Sequence, residues 1–522
     1  MTASGQDILI GIDAGTSVVK SVAFTLDGLQ IAVASTPNRY VTGANGAAYQ
    51  SQDDIWADCA KTLRSLTNKV PRLAKRTAAI SVTGQGDGTW LVGAGNRPVT
   101  DGWLWLDARS AVAAKRLRDN DTRARFESTG TGLNACQMGV QLAHMDATAH
   151  DLLDRSEVAL HCKDWLYLNL TGVRATDPSE ANFTFGSYTS RKYSDAVIAQ
   201  LGLSGRRGLL PEIVDGTQHT HALTADAAVQ TGLLAGTPVA LAYVDVICTG
   251  MGAGIYTRGE ETGCTIIGST GMHMRAVAAA EVTLNDEPSG YTMVLPVPGM
   301  VAQVQTNMAS TLNIDWLLGM GADLVTQFGG SVTHADMVAQ IEDWLTQTSP
   351  ASVLYHPYIS EAGERGPFVE TNARAGFTGL SSQHRFPDLL RAVIEGIGYA
   401  ARDCYDAMGP VPAEIRLTGG AARSAGLRTI LSAALGASVR TINREEAGAA
   451  GAAMIAAQAI GVYSDMDACV DAWVRPLLGA IEVPDSELAT LYQMNFPAYQ
   501  SLRKSVVPVW AALAAVKETK NA

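Results

Sequence analysis

The segment ILIGIDAGTSVVKSVAF, residues 8–24, constrains the fold more than any other part of the chain. An apolar run ends on Asp13, a short Ala-Gly-Thr-Ser turn follows, and a second apolar run leads away. Short apolar runs separated by a glycine turn are typical of neighbouring strands. A charge at the end of a buried strand is costly unless it is paired or used, so Asp13 marks a candidate site.

Strand and helix patterns alternate along the rest of the chain. The run LQIAVA predicts a third strand of an antiparallel meander, and a helix is predicted from Asp53 to Asn68. TAAISVTG, residues 77–84, has the length and composition of a buried strand ended by glycine. This alternation predicts an α/β protein, and 522 residues suffice for two to four domains.

A similar strand–turn–strand arrangement returns in the second half of the chain. In GCTIIGSTGMHMRAV, residues 263–277, the order is the same, but Ile267 stands where the first copy has Asp13. Two related halves that differ at the acidic position suggest two similar domains with different tasks. Glycine and hydroxyl turns after strands are common, so the repeat alone leaves duplication and coincidence equally open.

Composition and missing motifs exclude several functions. A net charge of -12 gives no bulk affinity for nucleic acid or for an anionic membrane. The seven cysteines have no metal-ligand spacing, which argues against zinc and fits a reducing cytoplasm. P-loop, nucleophile-elbow and H-E-x-x-H motifs are missing, and no glycine-rich stretch has the spacing and setting of a dinucleotide site. We expect a cytoplasmic protein with a small-molecule ligand and without nucleic-acid or membrane partners.

Three glycine–hydroxyl turns at strand ends could hold the phosphates of one nucleotide. They lie at residues 13–17, 268–271 and 418–420. Successive N–H groups in such turns point into one space, and glycine lets an anion approach without a Cβ in the way. A strand-end aspartate such as Asp13 fits a ligand to Mg²⁺, usually through water. For any single turn, an ordinary tight turn is the commoner explanation.

Carboxylates in apolar surroundings form a second group of candidates. Asp245 lies in PVALAYVDVICTG, where a catalytic base is favoured over a capping or paired core carboxylate. Asp87 follows a buried strand, although Asp-Gly is also a common turn pair. A sugar site could also be lined by residues of DGWLWLDARS, in which two tryptophans share one face of a predicted strand: Trp103, Trp105, Asp107 and Arg109.

Together, these segments resemble the FGGY family of carbohydrate kinases over essentially the whole chain. The resemblance rests on IGIDAGTSVVKSVAF, ISVTGQGDGTW, LWLDARS, KDWLYLNLTG with TDPSEAN, the strand ending at Asp245, IIGSTG, and LTGGAARS with EEAGAAGAAM. It implies two actin-like, ribonuclease H-like α/β domains of the sugar kinase/heat-shock-protein/actin fold with a central cleft. The implied domains are residues 1–250, with the polyol site and the Mg²⁺ and phosphate loop, and residues 251–522, which bind the nucleotide.

The resemblance also implies a reaction and a set of site residues. The reaction is ATP-dependent phosphorylation of a small polyol, with ATP and Mg²⁺ as cofactors. Asp245 matches the general base, and Asp13 and Asp245 match the metal site. The matching substrate contacts are Gly86, Asp87, Trp105, Met138 and Asp245. The matching nucleotide contacts are Gly15, Thr16, Ser17, Lys20, Ser269, Thr311, Gly420 and Ser424, with Asp315 near Thr311.

Departures from the family pattern bear on the substrate. Members that take glycerol have Arg-Glu where this chain has Gly86 and Asp87, a tyrosine near Met138, and a glutamine in place of Val246. These differences argue against glycerol, and the implied acceptor is erythritol, phosphorylated at a terminal hydroxyl. A xylulose, ribulose or glycerol kinase, a non-catalytic sugar-sensing relative and an ATPase of the chaperone or filament class remain alternatives. A homodimer is common in such kinases.

Overall fold

The computed structural model describes residues 5–120 and 123–521. The strands over these residues are β1 Ile8–Ala14, β2 Val18–Thr25, β3 Gln30–Pro37, β4 Val41–Thr42, β5 Ala48–Gln50, β6 Thr77–Gly84, β7 Trp90–Gly93, β8 Gly102–Trp103, β9 Ser156–Leu160, β10 Ala175–Thr176, β11 Gly186–Ser187, β12 Lys192–Tyr193, β13 Glu212–Ile213, β14 His221–Ala222, β15 Pro238–Leu241, β16 Thr262–Ile267, β17 Gly271–Ala278, β18 Tyr291–Val294, β19 Met300–Asn307, β20 Leu354–His356, β21 Gly376–Thr378, β22 Glu414–Thr418 and β23 Ser438–Thr441.

The α-helices alternate with these strands. They are α1 Gln52–Lys69, α2 Leu73–Arg76, α3 Ala111–Asp119, α4 Arg123–Thr129, α5 Met138–Thr148, α6 His150–Asp154, α7 Cys162–Thr171, α8 Pro178–Phe185, α9 Asp195–Gln200, α10 Ala225–Thr231, α11 Asp245–Gly252, α12 Thr311–Gln327, α13 His334–Ala339, α14 Ile341–Thr346, α15 Phe386–Asp406, α16 Ala425–Leu435, α17 Ala447–Ala459, α18 Met466–Trp473, α19 Ser486–Ser505 and α20 Val507–Asn521.

The first sheet has the strand order β14-β15-β6-β1-β2-β3. The strands β1, β2 and β3 form the antiparallel meander that the sequence predicts, and β6 and β15 join parallel on the other side of β1. Near the carboxyl end of β1, Asp13 lies opposite Lys20 of β2 and Thr83 of β6. Because the parallel strands β1 and β6 end at the same edge, the turns that follow them meet there.

The second sheet repeats this pattern with the order β18-β19-β17-β16-β22-β23. The strands β16, β17 and β19 are antiparallel, and β22 and β23 join parallel on the other side of β16. The corresponding strands of the two sheets therefore have the same order and directions. This match confirms two α/β domains of one architecture and favours duplication over coincidence.

The helix α17, from the second half of the chain, packs against the first sheet. It consists mainly of alanine and glycine, and most of it is fully buried. On β1, the missing side chain of Gly11 admits the α17 backbone, since an added Cβ would collide with the carbonyl oxygen of Ala449. The alanine-rich segment therefore serves close helix packing, as predicted, and it brings the second domain to the edge of β1.

Two findings concern the classes that composition excludes. Among the described residues, no helix combines the length and apolar character that crossing a bilayer requires. All seven cysteines are buried and free, and within the described ranges no three His, Cys, Asp or Glu side chains form a metal-binding group.

Candidate active site

Two cavities adjoin at the start of α11. The large cavity has a volume of about 900 Å³ and is lined by residues of both domains. The small cavity has a volume of about 240 Å³. Asp245 lines the small cavity, and Thr249, one helical turn later, lines the large one. Other residues of the large cavity include Asp13, Lys20, Ile266, Leu417, Thr418, Gly419, Gly420, Arg423, Asn443, Glu446 and Gly448.

Asp13 lines the large cavity from the edge of the first sheet. A Cβ added at Gly448 of α17 would collide with its carboxylate and lie 3.2 Å from Thr249 Oγ1, so Asp13 lies close to both α11 and α17. Burial raises the pKa of Asp13 to about 6, against the opposing effect of the Lys20 charge. Lys20 Nζ lies 2.7 Å from a carboxylate oxygen of Glu446, which joins the two domains across this cavity.

Asp245 is the first residue of α11 and lines the small cavity. Its Oδ1 accepts a hydrogen bond from the N–H of Val246 at 2.7 Å. Burial and then the charge of Asp13 raise the pKa of Asp245 to about 7, while backbone N–H groups of Val246 and Gly86 oppose the rise. The two carboxylates are thus electrostatic neighbours, although each lines a different cavity.

The small cavity has one polar wall. Asp87 has a left-handed φ of 55°, and its Oδ2 accepts from Tyr291 Oη at 3.0 Å and from Cys136 Sγ at 3.5 Å. Its Oδ1 is buried and has no hydrogen-bond partner among the described residues. Trp105 Nε1 donates to Thr16 Oγ1 at 2.7 Å, which fixes the indole in the wall. The remaining lining residues are Gly86, Phe183, Val244, Val246, Thr270, Met272, Met293, Val304, Thr306, Asn307 and Arg365.

Several residues predicted to bind ligands lie outside both cavities. Met138 begins α5 and is buried in a hydrophobic cluster with Leu142 and Phe185, whereas Cys136, two residues earlier, reaches Asp87. The position assigned to the substrate therefore lies in the core, because the helix begins there with its first side chain turned inward.

The nucleotide residues are distributed unevenly. Lys20 and Gly420 line the large cavity, while Thr16 lines the small one. Ser424 instead caps α16 and donates to Glu342 at 2.7 Å. The others lie on turns or at a helix start: Gly15 and Ser17 on the turn after β1, exposed Ser269 on the turn after β16, Thr311 bonded to the Gly268 carbonyl, and Asp315 paired with His334 on the surface.

The structure contradicts two interpretations of the segment DGWLWLDARS. The strand β8 ends at Trp103, so the two tryptophans do not share a strand face. Trp103 is buried under the guanidinium of Arg109, whose carbon lies 3.4 Å from the ring centre. Arg109 also forms a 2.6 Å ion pair with Asp107, and neither residue lines the small cavity. Asp107 and Arg109 therefore do not line a sugar site here, since they pair with each other and line neither cavity.

Sequence reasoning missed Arg365 and Tyr291. Both belong to the second domain and reach the small cavity, where Asp87 and Trp105 come from the first. Arg365 lies in the long connection between β20 and β21, which has no periodic pattern. The segment GERGP contains the only signal, a charged residue in a glycine- and proline-rich turn.

The matching sheets, the cavity lined by both domains and the paired carboxylates define a two-domain sugar kinase fold. The protein-family sequence model described as "FGGY family of carbohydrate kinases, N-terminal domain" matches residues 8–252. The corresponding sequence model of the C-terminal domain matches residues 263–460. The chain belongs to the FGGY family of carbohydrate kinases, which confirms the resemblance found in the sequence.

Individual relatives agree with this assignment. The chain is 60% identical over 512 residues to the erythritol kinase of Brucella abortus (strain 2308), covering 98% of each protein. It is 25% identical to the crystal structure of xylulose kinase from Rhodospirillum rubrum, with a TM-score of 0.85 over 97% of this chain and 100% of that one. The gluconate kinase structure from Lactobacillus acidophilus, 19% identical, shares the fold, with a TM-score of 0.86 over 97% of this chain and 99% of that one.

Proposed function

We propose that the chain transfers the γ-phosphoryl group of ATP to a terminal hydroxyl of erythritol, giving erythritol phosphate and ADP. The observation that carries this proposal is the position of Asp245, which lines the small cavity beside the Asp13 carboxylate of the large one. The identity of 60% to an erythritol kinase over nearly the whole chain supports erythritol as the acceptor.

The large cavity suits a nucleotide. Its volume of about 900 Å³ accommodates a ligand of that size, and Thr418, Gly419 and Gly420 line it with a turn that leaves the backbone accessible. Lys20 can turn from Glu446 to a phosphate, because its side chain is one-third exposed. We propose that Gly15, Thr16, Ser17, Ser269, Thr311 and Ser424 contribute to the same site chiefly by shaping its turns.

The carboxylates Asp13 and Asp245 fit a magnesium ion. Each has its pKa raised by burial, so a nearby cation would offset the cost of their charges. Mg²⁺ is held by one or two carboxylates together with waters and phosphates, so these two side chains suffice as its protein ligands. Bound there, the ion would neutralise charge on the transferring phosphate.

The proposed chemistry uses Asp245 as a base. The carboxylate of Asp245 takes the proton from the polyol hydroxyl as the hydroxyl oxygen bonds to the γ-phosphorus, and the bond from phosphorus to the β-phosphate oxygen breaks. Apolar side chains such as Phe183 and Met293 exclude water from the small cavity. Asp87 would accept a second polyol hydroxyl through its unpaired Oδ1.

Gly86→Ala is expected to raise KM for erythritol about tenfold or more, because a small displacement at a reacting centre is costly. The added Cβ would lie 2.5 Å from Val244 Cγ2, the residue next to Asp245. Steady-state kinetics would measure the change. Gly205→Ala is the matched control, since its Cβ meets no atom within 4 Å. Equal KM values for the two variants would contradict the assigned position of the polyol.

The function is tested by incubating the protein with Mg-ATP and erythritol, glycerol, ribulose, xylulose or xylitol. Release of ADP that depends on the acceptor and is fastest with erythritol is the expected result. A preference for another acceptor would assign that acceptor as the substrate and leave the carbohydrate kinase activity unchanged. ATP loss without any acceptor would favour an ATPase, and no ATP loss at all would favour a sugar-binding relative.

We propose domain boundaries at residues 1–250 and 251–522, since the first family match ends at residue 252 and β16 begins the second sheet. We also propose that the protein acts in the reducing cytoplasm, which the buried free cysteines support.

A homodimer is proposed through an apolar row on α12. The exposed side chains recur every fourth residue at Leu312, Trp316, Met320 and Leu324, followed by Phe328 directly after the helix. Such a ridge packs against its own copy about a two-fold axis. A second copy fits because the row carries no charge. Two chains, each of net charge -12, can therefore meet there without bringing like charges together.

Met320→Glu is expected to convert the dimer to a monomer in light scattering at micromolar concentration, because it places two like charges in an apolar interface. Leu513→Glu, at a side chain 55% exposed on α20, is the control and should remain dimeric. A monomeric wild-type protein would contradict the proposed interface.

A further inference from the structure

We propose that Arg365 of the second domain is a polyol-binding residue that completes the site across the cleft, together with Asp87 of the first domain. This inference rests on the assignment of the small cavity as the polyol site. In the sequence only the glycine- and proline-rich turn GERGP marks Arg365, and its side chain reaches the cavity through the tertiary fold.

The side chain of Arg365 lies in the wall of the small cavity. Its guanidinium carbon is 5.7 Å from the ring centre of Trp105, so it lies over an indole that belongs to the other domain. Its positive charge acts on Asp87 and lowers the pKa of that carboxyl, against the larger effect of burial. The two residues therefore line the same cavity, close enough for the charge of one to act on the other.

Two polar atoms of this wall are left without partners. Arg365 Nε and Asp87 Oδ1 are buried, and neither has a hydrogen-bond partner among the described residues. A buried donor and a buried acceptor without partners are costly in a folded protein. Both line the same cavity of about 240 Å³, so one ligand can satisfy both.

The backbone around Arg365 is held rigidly. Glu364 Oε1 accepts from the N–H groups of Arg365 and Met308, each at 2.9 Å. The backbones of Glu364 and Glu370 exchange two hydrogen bonds of 2.9 Å, and Asn307 Nδ2 donates to the carbonyl of Gly366 at 2.9 Å. The backbone that carries the arginine is thus fixed before a ligand binds, which reduces the entropy lost on binding.

The pair matches the chemistry of a neutral polyol. A guanidinium only donates hydrogen bonds and a carboxylate only accepts them, whereas a hydroxyl does both. Adjacent hydroxyls can therefore accept from Arg365 and donate to Asp87, and the opposite charges leave the wall without net charge. Because Arg365 and Asp87 belong to different domains, a polyol bound to both favours the arrangement in which the two domains close around it.

Isothermal titration of erythritol in the presence of a non-hydrolysable ATP analogue tests this inference without requiring turnover. Arg365→Met should weaken polyol binding about 10- to 100-fold, as expected when a charge-assisted hydrogen bond is lost. Arg365→Lys should recover part of the affinity, because it keeps the charge without the planar donor group. Affinity for the ATP analogue alone should be unchanged.

Arg123→Gln is the matched control. Arg123 also joins the two domains, by donating to the carbonyls of Asn285 and Asp286 at 2.9 and 3.0 Å, but it does not line the cavity. Its variant should bind erythritol within about twofold of wild type. Unchanged affinity in both Arg365 variants, or equal losses in Arg365→Met and Arg123→Gln, would overturn the inference.

This titration and the acceptor assay with Mg-ATP together separate this inference from the proposed function. Wild-type protein that binds erythritol through Arg365 but transfers no phosphate would contradict the kinase function alone. Wild-type protein that transfers phosphate while the Arg365 variants bind normally would contradict the role of Arg365 alone. Failure of the wild type to bind erythritol, together with failure to phosphorylate any of the five acceptors, would overturn both.

Discussion

Asp245→Asn is expected to lower turnover with erythritol by about 10²-fold or more, with the fold intact. Asparagine has nearly the same shape and keeps an oxygen that accepts from the N–H of Val246, as Asp245 Oδ1 does at 2.7 Å. It cannot take a proton from the polyol hydroxyl, so the loss falls on the transfer step. The measurements are kcat from ADP release and the melting temperature.

Asp215→Asn provides the control for this variant. Asp215 accepts a hydrogen bond from Tyr243 Oη at 3.2 Å, and Tyr243 lies two residues before Asp245 in the chain. Asp215 itself lines neither the large nor the small cavity. Its variant should retain most of the wild-type rate. If Asp245→Asn also retained most of the rate, Asp245 could not be the base.

The same assignment predicts how activity depends on pH. The base must be deprotonated, and burial together with the charge of Asp13 raises the pKa of Asp245 to about 7. Below that value the active fraction of the free enzyme falls about tenfold for each pH unit, so kcat/KM for Mg-ATP, which reports the free enzyme, should be about tenfold lower at pH 6 than at pH 8. In Asp245→Asn this dependence should disappear.

Asp13→Asn is expected to lower kcat/KM for Mg-ATP by about 10²- to 10³-fold, the range seen when one preorganised electrostatic contact is removed. It should also raise the Mg²⁺ concentration needed for half-maximal rate, because an amide is a weaker ligand than a carboxylate. A Mg²⁺ titration of the initial rate measures both effects. An unchanged requirement for Mg²⁺ would remove Asp13 from the metal site.

The melting temperature of Asp13→Asn shows whether its loss of activity comes from the site or from misfolding. Folding favours the protonated, neutral form of Asp13, since burial raises its pKa to about 6, above the ordinary value. A neutral amide should therefore not lower the melting temperature. Asp7→Asn is the matched control, because exposed Asp7 precedes the opposite end of β1 and pairs with Arg76 at 2.7 Å. That variant should keep its activity.

The parts of the fold that local patterns determine were predictable from the sequence. The meander of β1, β2 and β3 follows from apolar runs and glycine turns, and the strand β6 has the predicted bounds. The predicted helix at residues 53–68 is one residue longer at each end, with Ser51 as its N-cap. The close packing of α17 follows from its alanines and glycines.

The walls of the small cavity were harder to predict, because they depend on contacts between distant segments. Trp105 faces the cavity only because β8 ends at Trp103 and the chain turns there. Arg365 comes from an irregular connection of the other domain. Cys136, two residues before Met138, contacts Asp87, whereas Met138 itself begins α5 and lies in the core. Only the tertiary fold distinguishes these possibilities.

The most direct test is the ³¹P NMR spectrum of the products after reaction of the protein with Mg-ATP and erythritol. Phosphoryl transfer to erythritol should give one new phosphate monoester, coupled to a terminal CH₂ group and formed in equal amount to ADP. Formation of inorganic phosphate and ADP without a polyol phosphate would contradict transfer from the large cavity to the small one.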